Sequence, residues 1–112
     1  MTESSARGDV KLYPANPANV ERLVRSMATN SKNIRWSTHA LKRMDEREIL
    51  DVDVLRVLRT GTLAGKPEVT ERGEWKCKLT RNIRGSRDVG VVTIILKESK
   101  LLVKTAEWED LR

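Results

Sequence analysis

The segment DVGVVTIILKE, residues 88–98, decides the fold because apolar residues fill both its odd and its even positions. A strand with one face in water alternates apolar and polar residues, whereas a strand buried on both faces does not. We therefore predict a central strand over residues 89–97. The following segment KLLVKTAEW, residues 100–108, is predicted to be a second strand, and KESK forms a short hairpin connection between the two.

Two further strands are predicted before this pair. The segment EWKCKLT, residues 74–80, alternates, so its basic side chains Lys76 and Lys78 lie on the face opposite its apolar ones. The segment PEVTERG, residues 67–73, is predicted to add an edge strand, because a proline is tolerated at the start of such a strand. The second half of the chain thus predicts a four-stranded antiparallel sheet.

Three helices are predicted before the strands. Asn16 can cap the first helix, over about residues 17–29, because its side chain accepts hydrogen bonds from the first turn. A second helix is predicted over about residues 38–48. A third begins at a cap formed by Asp51 and ends at Gly61. Short apolar stripes at three- and four-residue spacing give each helix one buried face.

These elements predict an α+β fold in the order α-α-α-β-β-β-β. Its three N-terminal helices pack on one face of the four-stranded antiparallel sheet. Residues 1–15 are polar and show no period, so we expect a flexible leader there. Residues 16–112 are expected to form a single domain, since 112 residues suit one domain of ordinary size.

The composition narrows the classes of partner and cofactor. A formal net charge of +6 favours an anionic partner, such as nucleic acid, an acidic protein or a membrane surface. The alternative is a soluble protein that is simply basic. One cysteine and one histidine exclude an internal disulfide and a Cys/His zinc site. They leave open a magnesium ion held by carboxylates, but no residue spacing points to one, so we expect no metal or other cofactor. No apolar run approaches the ~20 residues that span a bilayer, and no signal region is evident. The expected location is cytoplasmic, without a membrane partner.

The segment STHALKRMDERE, residues 37–48, contains the only histidine. On a helical wheel His39 and Arg43 share a polar face with Arg47 at its edge. Histidine suits proton transfer near neutral pH, and arginine grips phosphate with a rigid fork of donors. We interpret His39 as a general acid or base, and Arg43 and Arg47 as phosphate ligands. The core-facing residues of the helix are predicted to be Ala40, Leu41 and Met44.

The same helix also has an ordinary interpretation. Its charged residues carry both signs and can form pairs four residues apart, such as Lys42 with Glu46. His39 is then a solvated residue one turn from the helix start. The sequence alone leaves both interpretations open.

A second candidate site is the segment RGEWKCKLTRNIRGSR, residues 72–87, which holds six cations and one carboxylate. Such a stretch can follow a phosphate backbone, or it can be a solvated loop that protects an edge strand from aggregation. Trp75 is the only aromatic residue among these cations, too few for a series of stacking positions, so the pattern predicts no base-specific contacts. We expect Lys78 and Thr80 near the histidine helix and Arg81 against substrate. The predicted RNA-binding residues are Lys76, Lys78, Arg81, Arg84 and Arg87.

The histidine helix and the segments after it resemble a domain family of unknown function, whose pattern is H-A-x-x-R-M-x-x-R-x-I followed by a second helix ending in glycine and an antiparallel sheet. The resemblance covers residues 36 to about 108. Such domains look like the RelE and barnase-like superfamily of small ribonuclease toxins, which are often encoded beside an antitoxin that binds DNA. The matching residues here are His39, Ala40, Arg43, Met44, Arg47 and Ile49.

This resemblance implies a small toxin-type ribonuclease that cleaves RNA without a metal, through the 2′-hydroxyl. RNA would be its substrate and a cognate antitoxin its protein partner. The alternative is a non-catalytic nucleic-acid- or protein-binding module from a mobile element or phage. Cleavage requires His39, whereas the binding module requires only the basic surface.

Overall fold

A computed structural model of the chain describes residues 16–83, 85 and 87–109. Within these residues the α+β class and the three helices are confirmed. The predicted leader over residues 1–15, and Arg84 of the basic stretch, lie outside the described residues. None of the described helices is long and apolar enough to cross a membrane.

The elements follow one another with few connecting residues. The helices are α1 (Pro17–Ala28), α2 (Thr38–Arg47) and α3 (Asp51–Thr60), and a 3-10 turn spans Ser31–Asn33. The strands are β1 (Ile34–Trp36), β2 (Thr62–Leu63), β3 (Glu68–Val69), β4 (Trp75–Ile83), β5 (Arg87–Ile95) and β6 (Leu101–Trp108).

Side-chain caps fix where α1 and α2 begin. The Asn16 side chain accepts a hydrogen bond from the backbone N–H of Ala18 at 2.9 Å, as predicted. The Ser37 hydroxyl accepts one from the N–H of Ala40 at 3.0 Å. Both bonds satisfy N–H groups that have no partner inside the helix.

The predicted cap at the third helix is wrong. Asp51 is the first residue of α3 itself, and Leu50 occupies the position before it. The Leu50 side chain has no oxygen, so the helix uses Asp53 instead, whose carboxylate accepts a hydrogen bond from the Leu50 N–H at 2.9 Å. An acidic residue in the first turn is also stabilised by the helix dipole.

The described strands form one sheet in the order β1-β6-β5-β4-β2, with β3 also paired to β4. β5 lies in the middle, which confirms the central strand predicted from residues 89–97. The four-stranded antiparallel sheet is wrong, because the sheet has six strands and is mixed: β1 runs parallel to β6. β1 has three residues and β2 has two, which are too few to show a period in the sequence. β1 also changes the predicted element order, because it lies between α1 and α2.

The two faces of the sheet differ in character. The helices cover the face that carries Leu79 of β4 and Val91 of β5, both of which are fully buried. The opposite face, here called the open face, has no described helix over it, and its side chains are half-buried or exposed. The open face presents Lys76, Lys78, Thr80, Val92, Ile94, Leu102 and Glu107.

The predicted core face of α2 is wrong at one position. Ala40 is fully buried and Met44 is 5% exposed, but Leu41 is 51% exposed. α2 packs mainly against the single strand β6, so only a narrow stripe of the helix is covered. Leu41 lies 100° around the helix from Ala40, which places it outside that stripe.

Candidate functional site

The motif helix α2 is fastened along the edge of β6. β1 pairs with only the first three residues of β6, and α2 supplies partners for the next part of that edge. The Ser37 N–H donates to the Val103 carbonyl at 3.1 Å, and Arg47 Nη1 donates to the Ala106 carbonyl at 2.7 Å. Trp108 Nε1 donates in return to the Arg47 carbonyl at 2.8 Å. Arg47 therefore holds the end of α2 against the sheet.

A cleft of about 330 Å³ opens beside Arg47. At its centre the Lys78 ammonium lies 2.8 Å from a carboxylate oxygen of Glu107 and 2.8 Å from one of Glu109. We call this the Lys78 cleft. It brings together a motif arginine, a lysine of the basic stretch and two carboxylates. Its lining residues are Arg47, Lys78, Glu107, Trp108 and Glu109.

Gly90 makes the cluster in the Lys78 cleft possible. Lys78 belongs to β4 and the two glutamates to the end of β6 and just after it, so Lys78 must reach across β5. A Cβ atom at Gly90 would lie 2.7 Å from Cε of Lys78 and 2.8 Å from Cδ of Glu109. Because these separations are shorter than van der Waals contact, the ion pairs depend on the missing side chain at this position.

The ion pairs keep the groups of the Lys78 cleft charged. The hydrogen bond from Lys78 lowers the pKa of Glu107, against the opposing effect of partial burial, and the positive charge of Arg47 adds to the shift. Partial burial by itself would lower the pKa of Lys78, but the hydrogen bonds and charges of Glu107 and Glu109 outweigh it and raise that pKa. The cleft therefore holds an ionised carboxylate in contact with an ammonium group at neutral pH.

Replacing Gly90 with Ala should break this arrangement while leaving the protein folded. The new methyl group displaces Lys78 and Glu109, which are long side chains that can swing aside. Without the close Lys78 contact, the pKa of Glu107 should rise toward its ordinary value. An NMR titration of the glutamate carboxyl carbons measures this rise directly.

Val92→Ala is the matched control for Gly90→Ala. Val92 is half-buried on the open face, lies opposite Lys78 in the strand register, and its truncation adds no atom near the cluster. The pKa of Glu107 should stay low in this variant. A Glu107 pKa that is equally low in Gly90→Ala would mean that the cluster tolerates a side chain at Gly90.

The other predicted residues of α2 lie outside the lining of the Lys78 cleft. His39 is exposed in the first turn of the helix. Arg43 is half-buried, and its Nη1 forms an ion pair with Glu46 at 2.7 Å, in place of the predicted pair between Lys42 and Glu46. Arg47 comes eight positions after His39, which is about 12 Å along the helix axis. The two residues therefore lie near opposite ends of α2.

The predicted RNA-binding residues that the structure describes are distributed over both faces of the sheet. Lys78 lies in the cleft near the end of α2, and Thr80 lies on the same open face opposite Gly90. Lys76 and Arg81 are exposed. The Arg87 guanidinium lies 4.0 Å from the centre of the Trp108 ring, at the helix-covered face.

Sequence reasoning missed Glu107, Glu109 and Gly90. Glu107 falls inside the predicted strand over residues 100–108 and Glu109 just after it, and their spacing of two places them on one face. A glycine inside an apolar strand is a known sign of close approach by another group, and Gly90 carried that signal.

Comparison with known proteins identifies the family but not an activity. Residues 36–108 match the model of a domain of unknown function, DUF4258. No curated protein and no solved structure gives a significant match. The matched range runs from β1 to the end of β6 and includes every lining residue of the Lys78 cleft except Glu109. Because this match spans well over half of the chain, the protein belongs to the DUF4258 family of domains of unknown function.

Proposed function

We propose that the protein is a small basic ribonuclease of the toxin type, which cleaves RNA without a metal through the 2′-hydroxyl. The observation that carries the proposal is the contact inside the Lys78 cleft between a carboxylate and an ammonium group, with Arg47 beside them. A proton acceptor and two cations in one cleft are the groups that cleavage through the 2′-hydroxyl needs.

The proposed reaction assigns a role to each group in the Lys78 cleft. The Glu107 carboxylate takes the proton of the 2′-hydroxyl, and the 2′-oxygen attacks the adjacent phosphorus. The bond from phosphorus to the 5′-oxygen breaks, and Lys78 donates a proton to that leaving oxygen. Arg47 stabilises the charge on the phosphate oxygens. The products are a 2′,3′-cyclic phosphate and a 5′-hydroxyl end.

His39 is the rival proton acceptor in this proposal. A site built on α2 alone would use His39 with Arg43, as the sequence predicts, and would leave Glu107 without a catalytic role. However, Arg43 is paired with Glu46 at 2.7 Å, and His39 lies outside the lining of the Lys78 cleft. Glu107 shares that cleft with Lys78 and Arg47, and this arrangement favours Glu107.

The experiment that tests cleavage is incubation of the purified chain with end-labelled single-stranded RNA in EDTA. We expect shorter products that end in a 2′,3′-cyclic phosphate, identified by mass spectrometry. The Glu107→Gln protein, prepared in parallel, is the control for a contaminating nuclease. Absence of cleavage of both free and ribosome-bound RNA would reject the enzyme and leave the second candidate.

The second candidate is a non-catalytic nucleic-acid- or protein-binding module. It is favoured by the charge of the Lys78 cleft, where two cations face two carboxylates and no net positive charge is left for a phosphate. Exposed cations such as Lys76 and Arg81 would then carry the interaction. A cognate antitoxin is a proposed protein partner under either function.

The ribonuclease and a nucleic-acid-binding module both predict that RNA binding weakens steeply with salt, because each neutralised phosphate releases counterions. Replacing Arg81, Arg84 and Arg87 together with Ala should weaken binding. It should also flatten the slope of log affinity against log salt by about 2, at roughly 0.7 per single-strand phosphate contact. Fluorescence anisotropy of a labelled RNA across a salt series measures both quantities.

The control removes three exposed cations from the helical side of the molecule: Arg22, Lys32 and Arg56. Both triple variants lose the same formal charge, so a difference between their slopes reports the position of the RNA. Circular dichroism should accompany the measurement, because Arg87 also packs on Trp108. Equal slopes in the two variants would place the RNA footprint away from the basic stretch.

A further inference from the structure

A second cleft, of about 380 Å³, lies on the open face. Its floor is aliphatic. Ile94 near the end of β5, Leu96 just after that strand and Leu102 of β6 form it. The turn between β3 and β4 forms one wall, and Lys104 stands at the rim. We call it the aliphatic cleft. Lys104 is the extra residue of a β-bulge, since Val103 and Thr105 pair with successive residues of β5.

The wall of the aliphatic cleft is held by hydrogen bonds. Glu74 is only 3% exposed, and its carboxylate accepts a hydrogen bond from the Lys97 N–H at 3.0 Å. Its carbonyl accepts one from the Thr70 N–H at 2.7 Å, and its own N–H donates to the Thr70 hydroxyl at 3.2 Å. These bonds tie the β3–β4 turn to the start of the β5–β6 turn, so the cleft does not depend on a ligand for its shape.

The two clefts share one surface. Gly90 lies beneath the Lys78 cleft, and Ile94 lies on the floor of the aliphatic cleft. The two residues are four positions apart on β5, which is about 14 Å. The exposed Lys76 stands opposite Ile94 in the strand register and so lies beside the second cleft. A short single strand can therefore touch both clefts and pass a cation on the way.

We propose that the aliphatic cleft accepts an unpaired nucleobase of the RNA strand whose phosphate lies at the Lys78 cleft. The inference rests on the proposed function and names its substrate class as single-stranded RNA. A nucleobase has two apolar faces and a polar edge, which suit an aliphatic floor surrounded by polar and charged residues: Thr70, Glu71, Arg72, Glu74 and Lys104. A paired base is stacked on both sides inside a duplex and cannot enter.

The test compares single-stranded RNA with an otherwise identical strand that lacks its bases. Leu102→Ala removes part of the floor at a half-buried position, and Leu41→Ala makes the same change on the helical side. The probes are oligoribonucleotides of about eight residues, within the usual range of site sizes. Leu102→Ala should weaken binding of the normal strand by about fivefold, because part of the apolar contact of one leucine side chain with the base is lost. It should leave binding of the baseless strand unchanged.

A fluorescent base reports the same contact independently of affinity. With 2-aminopurine placed at each position in turn, one position should change its emission on binding to the wild type and fail to do so with Leu102→Ala. Equal binding of the normal strand by Leu102→Ala, Leu41→Ala and the wild type would overturn the base site while leaving the ribonuclease intact. If the wild type neither binds nor cleaves any RNA, the proposed function fails and the base site with it. Equal affinity for single-stranded and duplex RNA would also overturn the inference.

Discussion

Glu107→Gln should lower the rate of RNA cleavage by roughly 10² to 10⁴, the usual contribution of general acid–base catalysis. Glutamine keeps the shape of the side chain and an oxygen that accepts the Lys78 hydrogen bond, but it cannot take a proton from a 2′-hydroxyl. The measurement is the single-turnover rate with saturating enzyme, so that a change in binding does not enter. RNA affinity should stay the same or increase, because the substitution removes a negative charge from the cleft.

The matched controls for this prediction are Glu98→Gln and His39→Ala. Glu98 is exposed in the turn between β5 and β6, so its substitution should leave the rate unchanged. His39→Ala should cleave at close to the wild-type rate if Glu107 is the base. A loss confined to His39→Ala, with full activity in Glu107→Gln, would move the chemistry to α2, as first predicted from the sequence. Wild-type rates in both Glu107→Gln and His39→Ala would show that neither residue takes part in the cleavage step.

Met44→Ala should destabilise the protein by about 2–5 kcal/mol, the range for truncating a buried methionine or leucine. The Met44 side chain is buried where α2 packs against the sheet. Its truncation to alanine leaves a cavity that the packed helix cannot fill. The melting temperature should fall by roughly 8 °C or more for a domain of this size. Thermal unfolding followed by circular dichroism measures the change.

Leu41→Ala is the matched control on the same helix. Leu41 is half-exposed, and surface substitutions usually change stability by less than about 0.5 kcal/mol. The sequence alone predicts similar losses for the two variants, because both residues were placed on the core face. Similar losses in experiment would therefore support that first assignment and contradict the packing of α2 described above.

Elements with a clear period could be predicted from the sequence. The unbroken apolar segment around Val91 gave the central strand, and the alternation around Cys77 gave β4 with its lysines on the opposite face. Both predictions rest on properties of consecutive residues. β1 was missed as a strand because it is three residues long and its partner, β6, lies more than sixty residues further along the chain. Such pairing leaves no local pattern.

The candidate site was predicted only in part for the same reason. Arg47 and Lys78 were identified because a motif and a run of basic residues are both recognisable from neighbouring positions in the sequence. Glu107 joins them only through the order of the strands, which sets β4, β5 and β6 side by side. His39 was identified by its chemistry alone, and neither its exposure nor its position outside the Lys78 cleft can be read from the sequence.

The glycine beneath the Lys78 cluster has a consequence for how the sheet assembles. When neighbouring strands slip by two residues, every side chain keeps its face, so burial of apolar residues does not by itself reject the slipped pairing. Such a slip of β5 would bring Asp88 or Val92 to the place of Gly90, beneath the side chain of Lys78. Neither leaves room for the lysine to cross to β6. Among the alignments that keep the same faces, the cluster forms only in the native one. Gly90 therefore favours the native register of β5 against its neighbouring strands.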